Sequence, residues 1–375
     1  MNRYSLIVTF VTLFLSLALM AQPKHEEPKT LAIGQTAPDF NLKATDGNMY
    51  SLKSFSKAKV LVIIFNANHC PTAQAYEDRM IAITNDYASK GVKVVVISSN
   101  NPEAVNLSEL GYTDLSDSYP EMLIRFQDKK FNFPYLYDGD NQKTALAYGP
   151  VATPHAFVFD YARILKYSGR IDANEKPGTG QGEDLRNAID AVLSGKNPDP
   201  ATTKVFGCSM KWFWKKEYNE EVYRKWAKMP VSLDTISVNS VKTLIQNKGQ
   251  KLRLINVWAT WCGPCTMEFP DFITMDRMYR GRDFEFISIS ADKMEKKEKV
   301  LEFLKTQEAS NKNYIFSGKD IYQLIEVIDP VWQGALPYTI LVEPGGKIVY
   351  HQQGTIELQT MKKSIVDNHL IGRYF

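Results

Sequence analysis

The stretch Asn256-Val257-Trp258-Ala259-Thr260-Trp261-Cys262-Gly263-Pro264-Cys265 sets two cysteines two residues apart, directly after an apolar run, Arg253 to Trp258, that reads as a buried strand. A helical stretch follows it. A dithiol that exchanges with disulfides needs one accessible, thiolate-prone sulfur and a second within reach to resolve the mixed disulfide. Two intervening residues at a helix start meet both needs. Unpartnered backbone N–H groups and the helix dipole are expected to lower the Cys262 pKa from about 8.5 towards about 7. Cys265 falls one turn inside, and Pro264 lacks an N–H where none has an intrahelical partner. Half of a zinc site is the competing reading. It fails because Cys70 and Cys208 are not closely spaced and the 5 histidines are scattered. An inert structural disulfide leaves Trp258, Trp261 and the Gly263-Pro264 insert unexplained. Redox chemistry without metal or cofactor is the reading these residues support.

Working outward, the pattern occurs twice. The next strand-like run, Phe284 to Ser290, begins 22 residues after Cys262, and Val92 to Ile97 begins 22 residues after Cys70. Val60 to Phe65 leads into His69-Cys70-Pro71 and a helical stretch through Tyr87, as Arg253 to Trp258 leads into Cys262. Each copy then shows a proline, a strand, a turn and a strand. In the first these are Thr153-Pro154, Ala156 to Phe159 and Ile164 to Tyr167. In the second they are Leu336-Pro337, Thr339 to Val342 and Lys347 to Tyr350. Terminal helices are expected at about Glu183–Leu193 and Leu358–Asn368. Strands alternating with helices and closing in a hairpin predict an α/β fold in two tandem units. The expected division is an N-terminal unit over 30–205, an aromatic connecting segment over 206–230 and a C-terminal unit over 231–375. Trp212, Trp214, Tyr218, Tyr223 and Trp226 make the connecting segment too aromatic for a free linker, so it should pack on one unit or between the two.

Bulk properties agree with such a chain. Its 375 residues exceed one small core, and 44% hydrophobic and 23% charged residues are ordinary for a globular protein. A net charge of +3, with the basic residues dispersed, gives no electrostatic footprint for nucleic acid. At the N-terminus, Asn2 and Arg3 precede an apolar run from Leu6 to Met20. That pattern predicts a secretory signal peptide over 1–21, cleaved after Ala21, and a periplasmic or otherwise exported protein. Only 4 cysteines are present, too few for a disulfide scaffold.

The run from Asn256 to Cys265 resembles the active site of the thioredoxin superfamily, and more narrowly the TlpA/ResA-like exported oxidoreductases. The resemblance covers roughly Leu233 to Gly372. It implies two tandem thioredoxin-like folds, each a central mixed sheet flanked by helices. It also implies that Cys262 is the attacking nucleophile and Cys265 the resolving thiol. Pro337 matches the cis proline beside the dithiol, with Leu336 presenting its backbone to substrate. Pro270 matches the proline that bends the active-site helix, and Asn256 stands where cytoplasmic thioredoxins carry a buried aspartate. Glu268, one turn beyond Cys265, matches the acidic residue beside the dithiol, placed to tune or accept the Cys265 proton. Trp261, Gly263 and Pro264 are expected to contact substrate. The implied partners are exported protein thiols and disulfides and a membrane electron donor, since a reducing dithiol in an oxidising compartment needs one.

In the first copy alanine, Ala73, occupies the resolving position. Cys70 keeps the helix-start environment, and His69 is positioned to add positive charge at acidic pH. A lone thiolate oxidised to a sulfenic acid needs a second thiol, for which Cys208 is the remaining candidate in this part of the chain. Asn68-His69-Cys70-Pro71, Thr153-Pro154 and Phe206-Gly207-Cys208 resemble a redoxin, peroxiredoxin-like group over about Ile33 to Trp212. That resemblance implies a redox-active Cys70, a Cys70–Cys208 disulfide, and substrate contacts at His69 and Pro154, with His155 on the same rim. Ala67 stands where peroxiredoxins place a peroxide-orienting threonine. Three roles for this half therefore stand open: a thiol peroxidase with Cys70 peroxidatic, a non-catalytic binding module, or a vestigial thiol.

Overall fold

A computed structural model describes residues 25–374 of the chain. The expected signal peptide lies outside the described residues. Within them, no helix is long and apolar enough to cross a membrane.

The first half contains strands β1 (Asn41–Ala44), β2 (Met49–Ser51), β3 (Val60–Asn66), β4 (Val92–Ser98), β5 (Tyr135–Tyr137), β6 (Ala152–Thr153), β7 (His155–Phe159), β8 (Leu165–Gly169) and β9 (Cys208–Ser209). Its helices are α1 (Pro71–Ala75), α2 (Glu77–Ala88), α3 (Tyr119–Lys129), α4 (Lys143–Tyr148), α5 (Glu183–Leu193) and α6 (Lys216–Ala227). Seven strands form one sheet in the order β2-β1-β5-β4-β3-β7-β8, and β6 and β9 form a separate two-stranded piece. β3 is buried along its whole length. The strand period of two divides it: Val60, Val62 and Ile64 join the apolar cluster on one face, and Leu61, Ile63 and Phe65 join the other. Helices must then cover both faces, which is why this strand is apolar throughout.

The second half continues with β10 (Asp234–Ile236), β11 (Leu252–Trp258), β12 (Phe284–Ser290), β13 (Lys312–Phe316), β14 (Tyr338–Val342) and β15 (Ile348–Gln353). Its helices are α7 (Val238–Ile245), α8 (Gly263–Tyr279), α9 (Lys297–Thr306), α10 (Ile321–Ile328) and α11 (Leu358–Val366). The sheet order is β10-β13-β12-β11-β14-β15. Register exposes the repeat: β3 lies parallel to β4 with Val60 opposite Val92, and β11 parallel to β12 with Leu252 opposite Phe284. Both central strands take an antiparallel neighbour on the other side, β7 and β14. Each half is thus the expected thioredoxin-like unit, a mixed sheet between helices.

Two features depart from the sequence reading. The helical stretch after Cys70 is broken at Tyr76, which closes α1 and opens α2. Residues 99–118, given no role by the sequence, form an excursion that reaches the second half. Its Val105 and Leu110 belong to the same apolar cluster as Trp258, Phe269 and Cys265. The aromatic segment packs on both halves. Trp212 is fully buried in the first, and Asn219 of α6 hydrogen-bonds to Glu103 and Asn106. The Trp226 ring faces the guanidinium groups of Arg277 on α8 and of Arg280, which caps its C-terminus, at 5.4 and 5.9 Å.

Candidate active sites

In the second half, β11 ends at Trp258 and the chain turns so that Cys262 caps α8. The Cys265 backbone N–H donates to Cys262 Sγ at 3.3 Å, the geometry that stabilises negative charge on sulfur. The two cysteines are joined as a disulfide with Cα atoms 5.3 Å apart. Cys262 is 7% exposed and Cys265 1%, so the first sulfur is the one a partner reaches. Leu336-Pro337 is a cis peptide, and Leu336 packs on the cluster that contains both cysteines. Trp261 stands 68% exposed beside the pair. With Leu336, Trp332 and Ile321 it lines a cleft of about 740 Å³. Gly263 and Pro264 form the first turn of α8, and a side chain at Gly263 would meet open space.

Glu268 lies buried on the same helix. Its Oε2 accepts the Ile356 backbone N–H at 2.9 Å, and its Oε1 has no hydrogen-bond partner among the described residues. Burial pushes its pKa up to about 7, and the nearby Asp271 adds to the rise against the opposing Ile356 amide. Asn256 is buried and donates to Thr339 Oγ1 at 3.0 Å.

One positioning group escaped the sequence reading. Buried Asp292 accepts the Thr260 backbone N–H and hydroxyl, each at 2.8 Å, and so fixes the loop leading into Cys262. Its signal is faint: a short polar Ser290-Ala291-Asp292 directly after an apolar strand.

In the first half Cys70 caps α1 and is fully buried. Its Sγ accepts the Ala73 N–H at 3.4 Å and lies 3.4 Å from the Thr153 carbonyl oxygen. It is joined to Cys208, Cα to Cα 5.9 Å. Thr153-Pro154 is cis, as Leu336-Pro337 is. Ala67, the position of interest for peroxide, is buried in a small cluster with Cys70, Ala73 and Cys208.

His69 does not act on the sulfur as a free charge. Its Nδ1 is paired with Asp117 Oδ2 at 2.6 Å, and Asp117 also takes the backbone N–H groups of Asn68 and His69 and the Asn100 amide. Burial alone would raise the Asp117 pKa, but the pairing with His69 and these donors hold it below the usual carboxylate range. Asp117 arrives from 48 residues away, so no local spacing announced it. His155 is likewise inside rather than on the rim. Its ring bonds to Ser168 Oγ at 3.0 Å and accepts the Val151 N–H at 3.3 Å, and burial lowers its pKa to about 3. It is a neutral core residue. Among the described residues no cluster of three His, Cys, Asp or Glu side chains is placed to hold a metal ion.

Comparison with known proteins bears on both sites. A family model described as the AhpC/TSA family matches residues 33–168 and again 228–351. Thiol-disulfide oxidoreductase ResA of Bacillus subtilis (strain 168) is 26% identical over 102 residues, 27% of this chain and 52% of that protein. A putative peroxiredoxin, bcp, of Helicobacter pylori (strain ATCC 700392 / 26695) is 32% identical over 74 residues, 20% of this chain and 49% of that one. This chain thus spans about half the length of the curated relatives it matches. Among solved structures, a hypothetical protein of Sinorhizobium meliloti 1021 is 34% identical with a TM-score of 0.42, covering 49% of this chain and 96% of its own.

Proposed function

Because the chain belongs to the AhpC/TSA family through both of its halves, we propose that it is a thiol–disulfide oxidoreductase that reduces disulfides of exported proteins through Cys262 and Cys265. The observation that carries this reading is the sulfur pair at the start of α8, with the Cys265 amide on Cys262 Sγ and the buried Glu268 carboxyl one turn beyond. The similarity to the ResA oxidoreductase lends it support.

In the reduced protein, the Cys262 thiolate attacks one sulfur of a client disulfide. A Cys262–client bond forms and the client's other sulfur leaves as a thiolate, which takes a proton from water. Cys265 then loses its proton to Glu268 and attacks Cys262 Sγ, which expels the client's second thiolate and closes the disulfide. The client gains two electrons. The pair regains them from a thiol donor, which in an oxidising compartment must be supplied across or at the membrane.

Catalysed reduction of a model protein disulfide tests this. In a Cys70→Ser/Cys208→Ser background the protein should turn over with a dithiol donor, and adding Cys262→Ser should bring it to the uncatalysed rate. The direction is tested by the Cys262/Cys265 reduction potential, expected near the thioredoxin value of about −270 mV. A value near about −120 mV, that of a strong oxidant, reverses it.

A further inference from the structure

The two halves present equivalent edges beside their first cysteines, and one edge is already covered. Cys70 and Cys262 each cap a helix and each accept the N–H of the residue three further on. Each faces a cis X–Pro peptide that opens the antiparallel strand paired to the central one. In the second half, nothing among the described residues hydrogen-bonds to the main chain of Leu336. In the first, Thr153 is paired: β9 runs antiparallel to β6 with Cys208 opposite Thr153. Phe206 lies against the Tyr76 ring, centroids 6.4 Å apart. Gly207 approaches so closely that a Cβ there would sit 2.1 Å from the Thr153 carbonyl oxygen. The chain's own Phe206 to Ser209 therefore occupies the Thr153 edge as an extended, cysteine-bearing strand, its cysteine bonded to Cys70.

The cover hangs between two firm anchors. Upstream, Thr203 bonds through its hydroxyl to the Arg170 N–H and the Tyr167 hydroxyl. Downstream, the Lys211 N–H donates to Asn100 Oδ1, its carbonyl accepts from Asn101 and Gln142, and Trp212 is fully buried. Between them, among the described residues, 204–209 are held to the body by the two-residue ladder with β6, the Phe206 contact and the disulfide. Cys208 is half-buried and Cys70 fully buried, so a partner meets Cys208 first.

We propose that Cys70 and Cys208 form a second disulfide-exchange centre, whose ligand is an extended peptide segment carrying a disulfide-bonded cysteine, with residues 206–209 as the intramolecular stand-in for that ligand. An incoming dithiol reduces the Cys70–Cys208 bond: one thiolate attacks Cys208 Sγ and Cys70 leaves as the thiolate favoured by the Ala73 amide. The donor's second thiolate then releases Cys208 as the donor becomes a disulfide. The freed loop leaves the Thr153 edge, and the client segment pairs there. Cys70 attacks the client sulfur, forming a Cys70–client bond and expelling the client's other sulfur as a thiolate. Cys208 attacks Cys70 Sγ, the second client sulfur departs, and the Cys70–Cys208 bond is restored. The client takes up two electrons and, from water, two protons. Cys208 does from a loop what Cys265 does from a helix, because position 73 is alanine.

The inference stands apart from the Cys262/Cys265 reading, since its test removes that pair. Full-length Cys262→Ser/Cys265→Ser protein is reduced, freed of reductant, and mixed with a peptide whose Phe-Gly-Cys cysteine is disulfide-linked to thionitrobenzoate. Thionitrobenzoate should be released with closure of Cys70–Cys208. Adding Cys208→Ser should leave the peptide stably bonded to Cys70 by mass spectrometry. A Phe-Ala-Cys peptide, whose Cβ would meet the Thr153 carbonyl oxygen as one on Gly207 does, should react more slowly. If Cys208→Ser does not fold, Gly207→Ala in the otherwise unchanged double variant serves instead: its Cβ lifts the cover from Thr153, so dithiol reduction of Cys70–Cys208 should be faster than in the parent. No adduct on Cys70, equal rates for the two peptides, an unchanged rate in Gly207→Ala, or oxidation of Cys70 by peroxide without peptide exchange would each overturn it.

Discussion

Glu268 combines a charge with a site that disfavours charge. Its pKa of about 7 lies above the ordinary 4.5, so near neutrality it both holds and yields a proton one turn beyond α8's second cysteine. The folded protein keeps this proton between pH 4.5 and 7, where the unfolded chain has lost it. Stability therefore falls as pH rises through that window, and the penalty is fully present above it. Glu268→Gln should accordingly be more stable than wild type at pH 8, by about 1–3 kcal/mol, with the difference vanishing below about pH 4. Its resolving step should slow about a hundredfold for want of a proton acceptor. Denaturant unfolding at the two pH values and single-turnover kinetics check both outcomes. Cys262, Cys265 and Glu268 were legible because their relation is local, fixed by helix spacing alone. Asp292 and Asp117 were not, because a strand end or a long excursion brings them to the loop they hold. His155 misled for a related reason: its place beside Pro154 gives its sequence neighbourhood but not the face of β7 on which it falls.

At the scale of elements, the loop over 172–176 that packs on the Cys70 helix depends on one guanidinium. Arg79 of α2 donates to both carboxylate oxygens of Asp172, at 2.8 and 2.9 Å, and to the carbonyls of Asn174 and Lys176. Its guanidinium also lies over the Tyr76 ring at 4.5 Å. The loop it holds carries Glu175, which accepts the Thr72 hydroxyl at 2.9 Å in the first turn of α1. Arg79→Ala leaves Asp172, 1% exposed, without its counter-charge and should cost about 3–5 kcal/mol. Arg79→Lys keeps the charge but not the fork, and should recover only part of it. Urea unfolding measures both. The central strands were readable from their apolar runs, as was α5 from its place at the end of the first copy. The short strands β1, β2 and β5 were not, since three or four residues carry no period to detect.

Across the whole molecule, the halves are not beads on a string. Asp114 is buried between them, paired with Arg373 at 2.8 Å and accepting from Gln359 at 2.7 Å. The Tyr279 hydroxyl donates to the Thr113 carbonyl at 3.0 Å, and Arg282 lies 3.6 Å over the Tyr112 ring. With Val105 and Leu110 inside the second half's apolar cluster, the halves should unfold in one transition, reported alike by a label in either. Asp114→Ala, which leaves Arg373 only its half-exposed partner Asp367 and Gln359 without its acceptor, should cost about 1–3 kcal/mol and separate the two labels' transitions. The duplication was legible because two strand–cysteine–helix units share one spacing. The docking was not, because it rests on an excursion, 99–118, that has no counterpart in the other copy.

The most direct test of the redox assignment is the pH dependence of alkylation at Cys262 in the reduced full-length protein, with Cys265 followed in the same spectra. A sulfur anchored by the Cys265 amide at a helix start should react first, with a midpoint near about pH 7, well below the free-thiol value of about 8.5. A midpoint at or above about 8.5, with Cys265 reacting as fast as Cys262, would contradict the account.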